Sequence, residues 1–171
     1  MLFEDETDLR LFPNLRATWA KRGQSAPVVL SGFNAKRVIF GALNFRTGHR
    51  LLLARPRQRQ EDFQTFLSYL RRSYRRWDLL LVLDEDSCHT AKKSRQLAES
   101  LGIELEWLPA RSPKLNPLDT LWGQAKDEVC ANWQYDNIEE QTKAFLSYID
   151  QLSNRKTLHT TGILSGNFWL T

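Results

Sequence analysis

The sequence predicts an α/β domain built on a mixed sheet. One sign is the element order, read as three strands, helix, strand, helix, strand, helix, helix. A second is Leu79–Leu83, five consecutive apolar residues between Asp78 and Asp84, the mark of a strand buried on both faces. A third is length. At 171 residues the chain is expected to form one domain, with a core over about 1–152 and a tail over 153–171. Its 42% hydrophobic and 26% charged residues are those of an ordinary globule. No run approaches the roughly 18 apolar residues of a membrane span, and Met1-Leu2-Phe3-Glu4 is no signal peptide.

In order, Met1–Asp5 reads as a strand with Asp5 at its end. Glu4, Asp5 and Glu6 alternate across it, so Asp5 faces away from its two acidic neighbours. Trp19–Gly23 and Ala26–Ser31 read as a strand, a turn and another strand. Arg37–Phe45 follows, and Arg46-Thr47-Gly48-His49 turns the chain into Leu51–Ala54. A charged linker, Arg55-Pro56-Arg57-Gln58-Arg59, leads to a helix over Glu61–Trp77 with Phe63, Phe66, Leu67, Leu70 and Tyr74 as its buried stripe. Arg71, Arg72, Arg75 and Arg76 crowd its last turns; they suit the helix dipole and equally suit phosphate contacts. The strand to Asp84 is followed by a helix over Ala91–Leu101, ended by Gly102, and a strand over Ile103–Leu108. Pro109–Pro117 is a loop with three prolines. A long helix over Leu118–Asn132 has Leu118, Leu121, Trp122, Ala125 and Val129 inward, and a last helix spans Ile138–Leu152. The tail has no assigned element.

Composition narrows the partners. Cys88 and Cys130 have neither paired-thiolate zinc spacing nor disulfide density, which points to a reducing compartment. A net charge of +4 and a pI near 9.2 suit nucleic acid.

The chemistry lies in the acids. Asp5, Asp84 and Asp119 fall at the ends of a strand, a strand and the start of a helix. They converge only if the first and fourth strands are neighbours. Clustered carboxylates repel unless a cation neutralises them, and hard oxygen ligands suit Mg²⁺ or Mn²⁺. Two such ions can clamp a phosphodiester.

Asp5-Glu6, Leu83-Asp84 with His89 five residues on, the run Ser112-Pro113-Lys114-Leu115-Asn116-Pro117-Leu118-Asp119, and Trp122 with Lys126 together resemble the catalytic domain of DDE transposases. The likeness is to the mariner superfamily, particularly its bacterial insertion-sequence branch, and Gly41-Ala42-Leu43-Asn44 with Thr47-Gly48 and Trp19 with Arg22-Gly23 extend it. It runs from the first residue to about Leu152. The resemblance implies a ribonuclease-H-like fold, a mixed five-stranded sheet flanked by helices. It implies Mg²⁺ (or Mn²⁺)-dependent DNA strand cleavage and strand transfer, with Asp5, Asp84 and Asp119 as the metal-binding catalytic triad holding two ions.

The remaining positions carry two readings each. His89 supports the metal site or bonds backbone at a helix start. Asn116 holds its loop by side-chain-to-backbone bonds or touches substrate. Arg111, Lys114 and Lys126 are candidate DNA contacts, as are the four arginines of the first helix. Trp122 reads as core rather than as a base-stacking platform. Glu85 and Asp86 depart from the family, which usually has Asn after the second acid. The family's N-terminal helix-turn-helix reader is missing, so the chain is expected to be the catalytic half of a split, truncated or frameshifted transposase. Its implied partners are transposon ends and target DNA, an upstream DNA-binding polypeptide and a second copy in the DNA complex, with no membrane, in the bacterial cytoplasm. Two rivals are a ribonuclease H or junction nuclease and a remnant acting as a DNA-binding module. The former places a further acid on the first long helix, where only Glu61 and Asp62 stand, in its first turn.

Overall fold

The computed structural model describes residues 1–30 and 32–170. Its five strands are β1 (Leu2–Arg10), β2 (Lys36–Asn44), β3 (Arg50–Arg55), β4 (Leu79–Leu83) and β5 (Ile103–Trp107), in the order β3-β2-β1-β4-β5. β1, β2 and β3 form an antiparallel meander, while β4 runs parallel to β1 and to β5, so the sheet is mixed. Among the described residues six α-helices flank it: α1 (Gln60–Ser73), α2 (Ser87–Thr90), α3 (Lys92–Ser100), α4 (Pro117–Val129), α5 (Ile138–Gln151) and α6 (Asn154–Thr160).

Strand periodicity sorts the core into two layers. Leu2, Val38, Phe40, Leu81 and Leu83 pack against Phe63, Phe66, Leu67 and Leu70 of α1 and Ala98 of α3. Phe3, Leu9, Ile39, Leu43 and Val82 pack against Leu118, Leu121, Trp122 and Ala125 of α4 and Phe145 and Ile149 of α5. β4 is buried on both faces, as its unbroken apolar run requires. No helix among the described residues is long and apolar enough to cross a membrane.

Several expectations need correction. β1 runs on to Arg10 because β2 offers an antiparallel partner at every position from Leu2 to Arg10, so Asp5 lies mid-strand rather than at its end. Trp19–Gly23 and Ala26–Leu30 form no strand. Trp19 and Val29 stand in solvent, and with no face to bury, their apolar pattern has nothing to pair against; Ser31 lies outside the described residues. α1 ends at Ser73, leaving Arg75 and Arg76 in the turn beyond. The single helix expected over Ala91–Leu101 is preceded by the separate turn of α2. α4 starts one residue earlier than expected, at Pro117, and stops at Val129. The tail, left unassigned, forms α6, and beyond it Trp169 donates its indole N–H to the Leu115 carbonyl at 2.9 Å.

α6 is locked to the β2–β3 hairpin. Arg50 donates to the carbonyls of Asp150 and Leu152 and to the Asn154 side chain. Gly48 turns the hairpin at φ +72°, and a Cβ there would overlap the Asn154 backbone carbonyl. Gly48→Ala is therefore expected to cost about 2 kcal/mol or more, from left-handed backbone strain and overpacking together. Urea denaturation of the variant against the parent chain measures it, and an unchanged midpoint contradicts the packing described.

Candidate active site

The pairing of β1 with β4 covers only Leu2 with Leu81 and Phe3 with Val82. Two residues further along the same register, Asp5 stands level with Asp84, where the strands have parted. Asp5 shares the parity of Phe3 and Asp84 that of Val82, so both face the α4 layer. Asn116 brings the helix in. Its side-chain N–H donates to the Glu4 carbonyl at 2.6 Å, while its Oδ1 accepts from the Leu118 amide at 3.2 Å and caps α4. One buried side chain thus bonds the free edge of β1 at Glu4 and plants the first turn of α4, with Asp119 in it, beside the parted strands. Of the two readings of Asn116, the backbone bonds are the ones the structure displays.

Asp5, Asp84 and Asp119 line a single cleft of ≈ 810 Å³. Among its described lining residues, seven carry carboxylates (Asp5, Glu6, Asp8, Asp84, Glu85, Asp86 and Asp119) and two, Arg111 and Lys126, are basic. Asp5 accepts the Trp122 indole N–H at 2.9 Å. That bond depends on Gly41, the cross-strand neighbour of Asp5, because a Cβ there would meet the indole at 2.5 Å. Trp122 also stacks with Phe145 at 6.1 Å, so it is both core and a clamp on Asp5.

The charges answer to their surroundings. Burial first, then the Glu6 charge and Asp84, push the Asp5 carboxyl from 3.8 up to about 7, against the pull of the Trp122 bond. Asp84 goes the other way, below the ordinary carboxylate range, chiefly because His89 bonds it; the Asp86 amide also donates to it at 3.0 Å. Burial depresses Lys126, while the acids around it, including Asp119 and Asp5, resist.

His89 is buried on the opposite side of Asp84. Its Nδ1 lies 3.0 Å from the Asp84 carboxylate and 3.1 Å from the Asp84 carbonyl, and its Nε2 lies 2.8 Å from Glu6 Oε1. Both sequence readings of His89 meet here, a bond to backbone and support of an acid. Burial works against a charge on this ring, but Glu4, Asp84 and Glu6 outweigh it and hold its pKa well above the usual value.

The other candidate contacts scatter. Arg111, at φ +59°, and Lys126 line the cleft. Lys114 sits in the 3-10 turn Pro113–Leu115 and is not among the lining residues. Arg71, Arg72, Arg75 and Arg76 lie at the α1 end that leads into β4, whereas the cleft opens where β4 stops. The Arg71 guanidinium donates to the carbonyls of Leu101, Tyr74 and Trp77. Sequence reasoning missed the Glu6–His89 contact, the Trp122–Asp5 clamp and Asp8, which lines the cleft and pairs with Lys36 at 2.7 Å. The alternation of Glu4, Asp5 and Glu6 was the signal for the first; Trp122 and Asp8 had none in one sequence.

A mixed sheet ordered β3-β2-β1-β4-β5, with helices on both faces and carboxylates gathered where the central strands part, defines a ribonuclease-H-like domain. More narrowly, the chain belongs to the DDE superfamily endonuclease family, whose model matches residues 1–142. It is 28% identical over 155 residues to the insertion element IS630 uncharacterized 39 kDa protein of Shigella sonnei, covering 90% of this chain and 45% of that protein. The Mos1 transposase paired-end complex with left transposon end superposes with TM-score 0.72 at 20% identity, over 94% of this chain and 50% of that one. The Mos1 mariner paired end complex with Mn gives 0.72 at 19%, over 94% and 51%. The catalytic domain of Mos1 mariner transposase gives 0.62 at 17%, over 94% and 74%. The chain spans about half the length of the IS630 protein and of the Mos1 chains in the complexes.

Asp5 makes stability depend on pH. Its folded-state value near 7 exceeds its ordinary 3.8, so the metal-free folded chain binds more protons than the unfolded one between those values. Its contribution therefore worsens as pH rises from about 4 to about 7. Asp5→Asn, which keeps an oxygen for Trp122, is expected to remove that slope and to stabilise the metal-free chain at pH 8 by up to about 4 kcal/mol. Denaturation midpoints across a pH series in chelator measure this; parallel curves for the two proteins contradict it.

Proposed function

We propose that this chain is the catalytic part of a transposase that cuts DNA at the ends of a mobile element and joins them to a target, using divalent metal ions held by Asp5, Asp84 and Asp119. The observation that carries this reading is the cleft itself, where three carboxylates from two parted strands and a helix start share one cavity with few cations among them. Such a donor set fits Mg²⁺ or Mn²⁺, since hard oxygen ligands are what those ions take. The carboxyl of Asp5, pushed up to about 7 by burial first and then by the Glu6 and Asp84 charges, is one that a bound cation would hold ionised. Family membership supports the reaction class. Bound there, a pair of such ions supplies activation of a water or a 3′-hydroxyl and stabilises the leaving oxygen.

The chain's own residues do the rest. Trp122 fixes the Asp5 carboxylate, and His89 with the Asp86 amide fixes that of Asp84. Asn116 sets the height of Asp119 by tying α4 to β1. Lys126 and Arg111 are the cleft's phosphate contacts, which position DNA without reading its sequence. Specific recognition of element ends is therefore assigned to a further polypeptide or fused segment. Joining two ends calls for two copies of the chain on the DNA, in the bacterial cytoplasm where that DNA lies.

A ribonuclease H reading is less well supported. Asp62, one of two acids on α1, is buried and paired with Arg55 at 2.7 Å, which leaves it no part in the cleft.

The test is nicking of supercoiled DNA in Mg²⁺ or Mn²⁺. Asp84→Asn and Asp119→Asn are each expected to lower the rate at least a hundredfold, about 2.7 kcal/mol, while circular dichroism stays unchanged. Metal-independent nicking, or nicking that survives both changes, sinks the proposal. Lys126→Ala is expected to weaken DNA binding equally for all sequences and to reduce the slope of log K against log salt by about 1. A sequence-dependent loss would instead make Lys126 a reader of bases.

A further inference from the structure

Behind Asp84, on the α1–α2 side of the sheet, lies a second cluster, which shares only Glu6 with the lining of the cleft. Glu4 and Glu6, two residues apart on β1, point to the same face, and α2 sets Cys88 and His89 against them. Glu4 is 0% exposed and His89 1%, Cys88 is buried, and Glu6 is half-buried. The ligand-type atoms of Glu6, Cys88 and His89 lie within 4.8 Å of one another. His89 Nε2 is 2.8 Å from Glu6 Oε1 and 3.5 Å from Glu4 Oε2, and Cys88 Sγ is 3.7 Å from Glu6 Oε1.

Glu4 is the anomaly. Both of its carboxylate oxygens are buried without a hydrogen-bond partner. A wholly buried carboxylate that receives no hydrogen bond is costly. A proton on His89 bonds Glu6 at 2.8 Å and reaches Glu4 only as an ion pair at 3.5 Å, leaving Glu4 without a hydrogen bond. A metal ion held by Glu6, Cys88 and His89, with Glu4 beside His89, balances the buried carboxylate charge.

We propose that Glu6, Cys88 and His89, with Glu4 as the fourth group beside them, form a binding site for one zinc-like divalent transition-metal ion, separate from the Asp5, Asp84 and Asp119 triad. A thiolate, an imidazole and two carboxylates are a donor set for zinc rather than for Mg²⁺. Zinc bonds of roughly 2.0–2.3 Å at tetrahedral angles put ligand atoms about 3.3–3.8 Å apart, close to the spacings found. The surrounding bonds are also in place. A metal-ligating histidine donates its other ring N–H to a carboxylate or carbonyl, and His89 Nδ1 faces both the carboxylate and the carbonyl of Asp84. Paired-cysteine spacing does not reveal this site because its ligands come from a strand pair, Glu4 and Glu6, and a helix pair 84 and 83 residues later. The ion would pin α2 to β1 where the sheet's own hydrogen bonds stop.

The test strips the purified chain with chelator, reloads it with Zn²⁺ or Co²⁺ and desalts it. The expected result is one ion retained per chain, with Co²⁺ giving a thiolate-to-metal charge-transfer band. Asp119→Asn, which alters only the cleft, keeps that ion, while Cys88→Ser and Glu4→Gln bind it at least tenfold more weakly. The charge-transfer band is read on the unaltered chain, so a variant that fails to fold does not blunt the test. No retained ion, retention without the band, or retention lost in Asp119→Asn and kept in Cys88→Ser each overturns the site. Mg²⁺-dependent nicking stands or falls separately.

Discussion

Everything in this domain turns on the parting of β1 from β4 after two paired residues. A parallel pair that ran on would bury Asp5 and Asp84 in a continuous sheet, where no ion or phosphate could reach them. Parting exposes the carboxylates and leaves β1 with unpaired backbone on one edge, which cannot stay unsatisfied next to a core. Asn116 meets part of that demand at the Glu4 carbonyl, and the same side chain caps the helix that carries Asp119. Opening the site and completing it are thus one structural act.

The two faces of β1 then serve two ends. Odd positions send Phe3 and Asp5 towards α4, where Trp122 lies across Gly41 to hold the acid. Even positions send Glu4 and Glu6 towards α2, where His89 reaches through to the back of Asp84. Asp84 is therefore fixed from behind by a buried network and open in front, which is why its carboxyl stays ionised while that of Asp5, more deeply set, resists ionisation. Carboxylates of one cleft end up electrostatically unequal through their second neighbours.

How much of this was legible varies with the physics. The apolar run of Leu79–Leu83 and the helical stripes of α1 and α4 displayed their own burial, so the sheet and its layers could be read directly. The alternation through Glu4, Asp5 and Glu6 even told which acid faces which side. What could not be read depends on distant partners. Trp19 and Val29 have strand-like neighbours, yet their segment pairs with neither edge strand, β3 nor β5, and stays in solvent. Arg71 looks like any basic residue until three backbone carbonyls surround it. Trp122 gave no hint of its bond to Asp5, because the space it occupies is made by Gly41 on β2, far from it in the chain.

The Asn116 contact also has a meaning in time. It joins residues 112 apart, so a ribosome that has already made β1 needs roughly 6–20 s more, at about 5–20 residues per second, before Asn116 exists. β2 can zip onto β1 at once and β3 onto β2, yet the other edge of β1 waits for β4 and then for the α4 start. During that interval the nascent chain presents an open strand edge, the kind of surface that pairs with wrong partners. The charged Glu4-Asp5-Glu6 stretch sits on that edge, and its mutual repulsion between neighbouring chains would guard it until the domain closes.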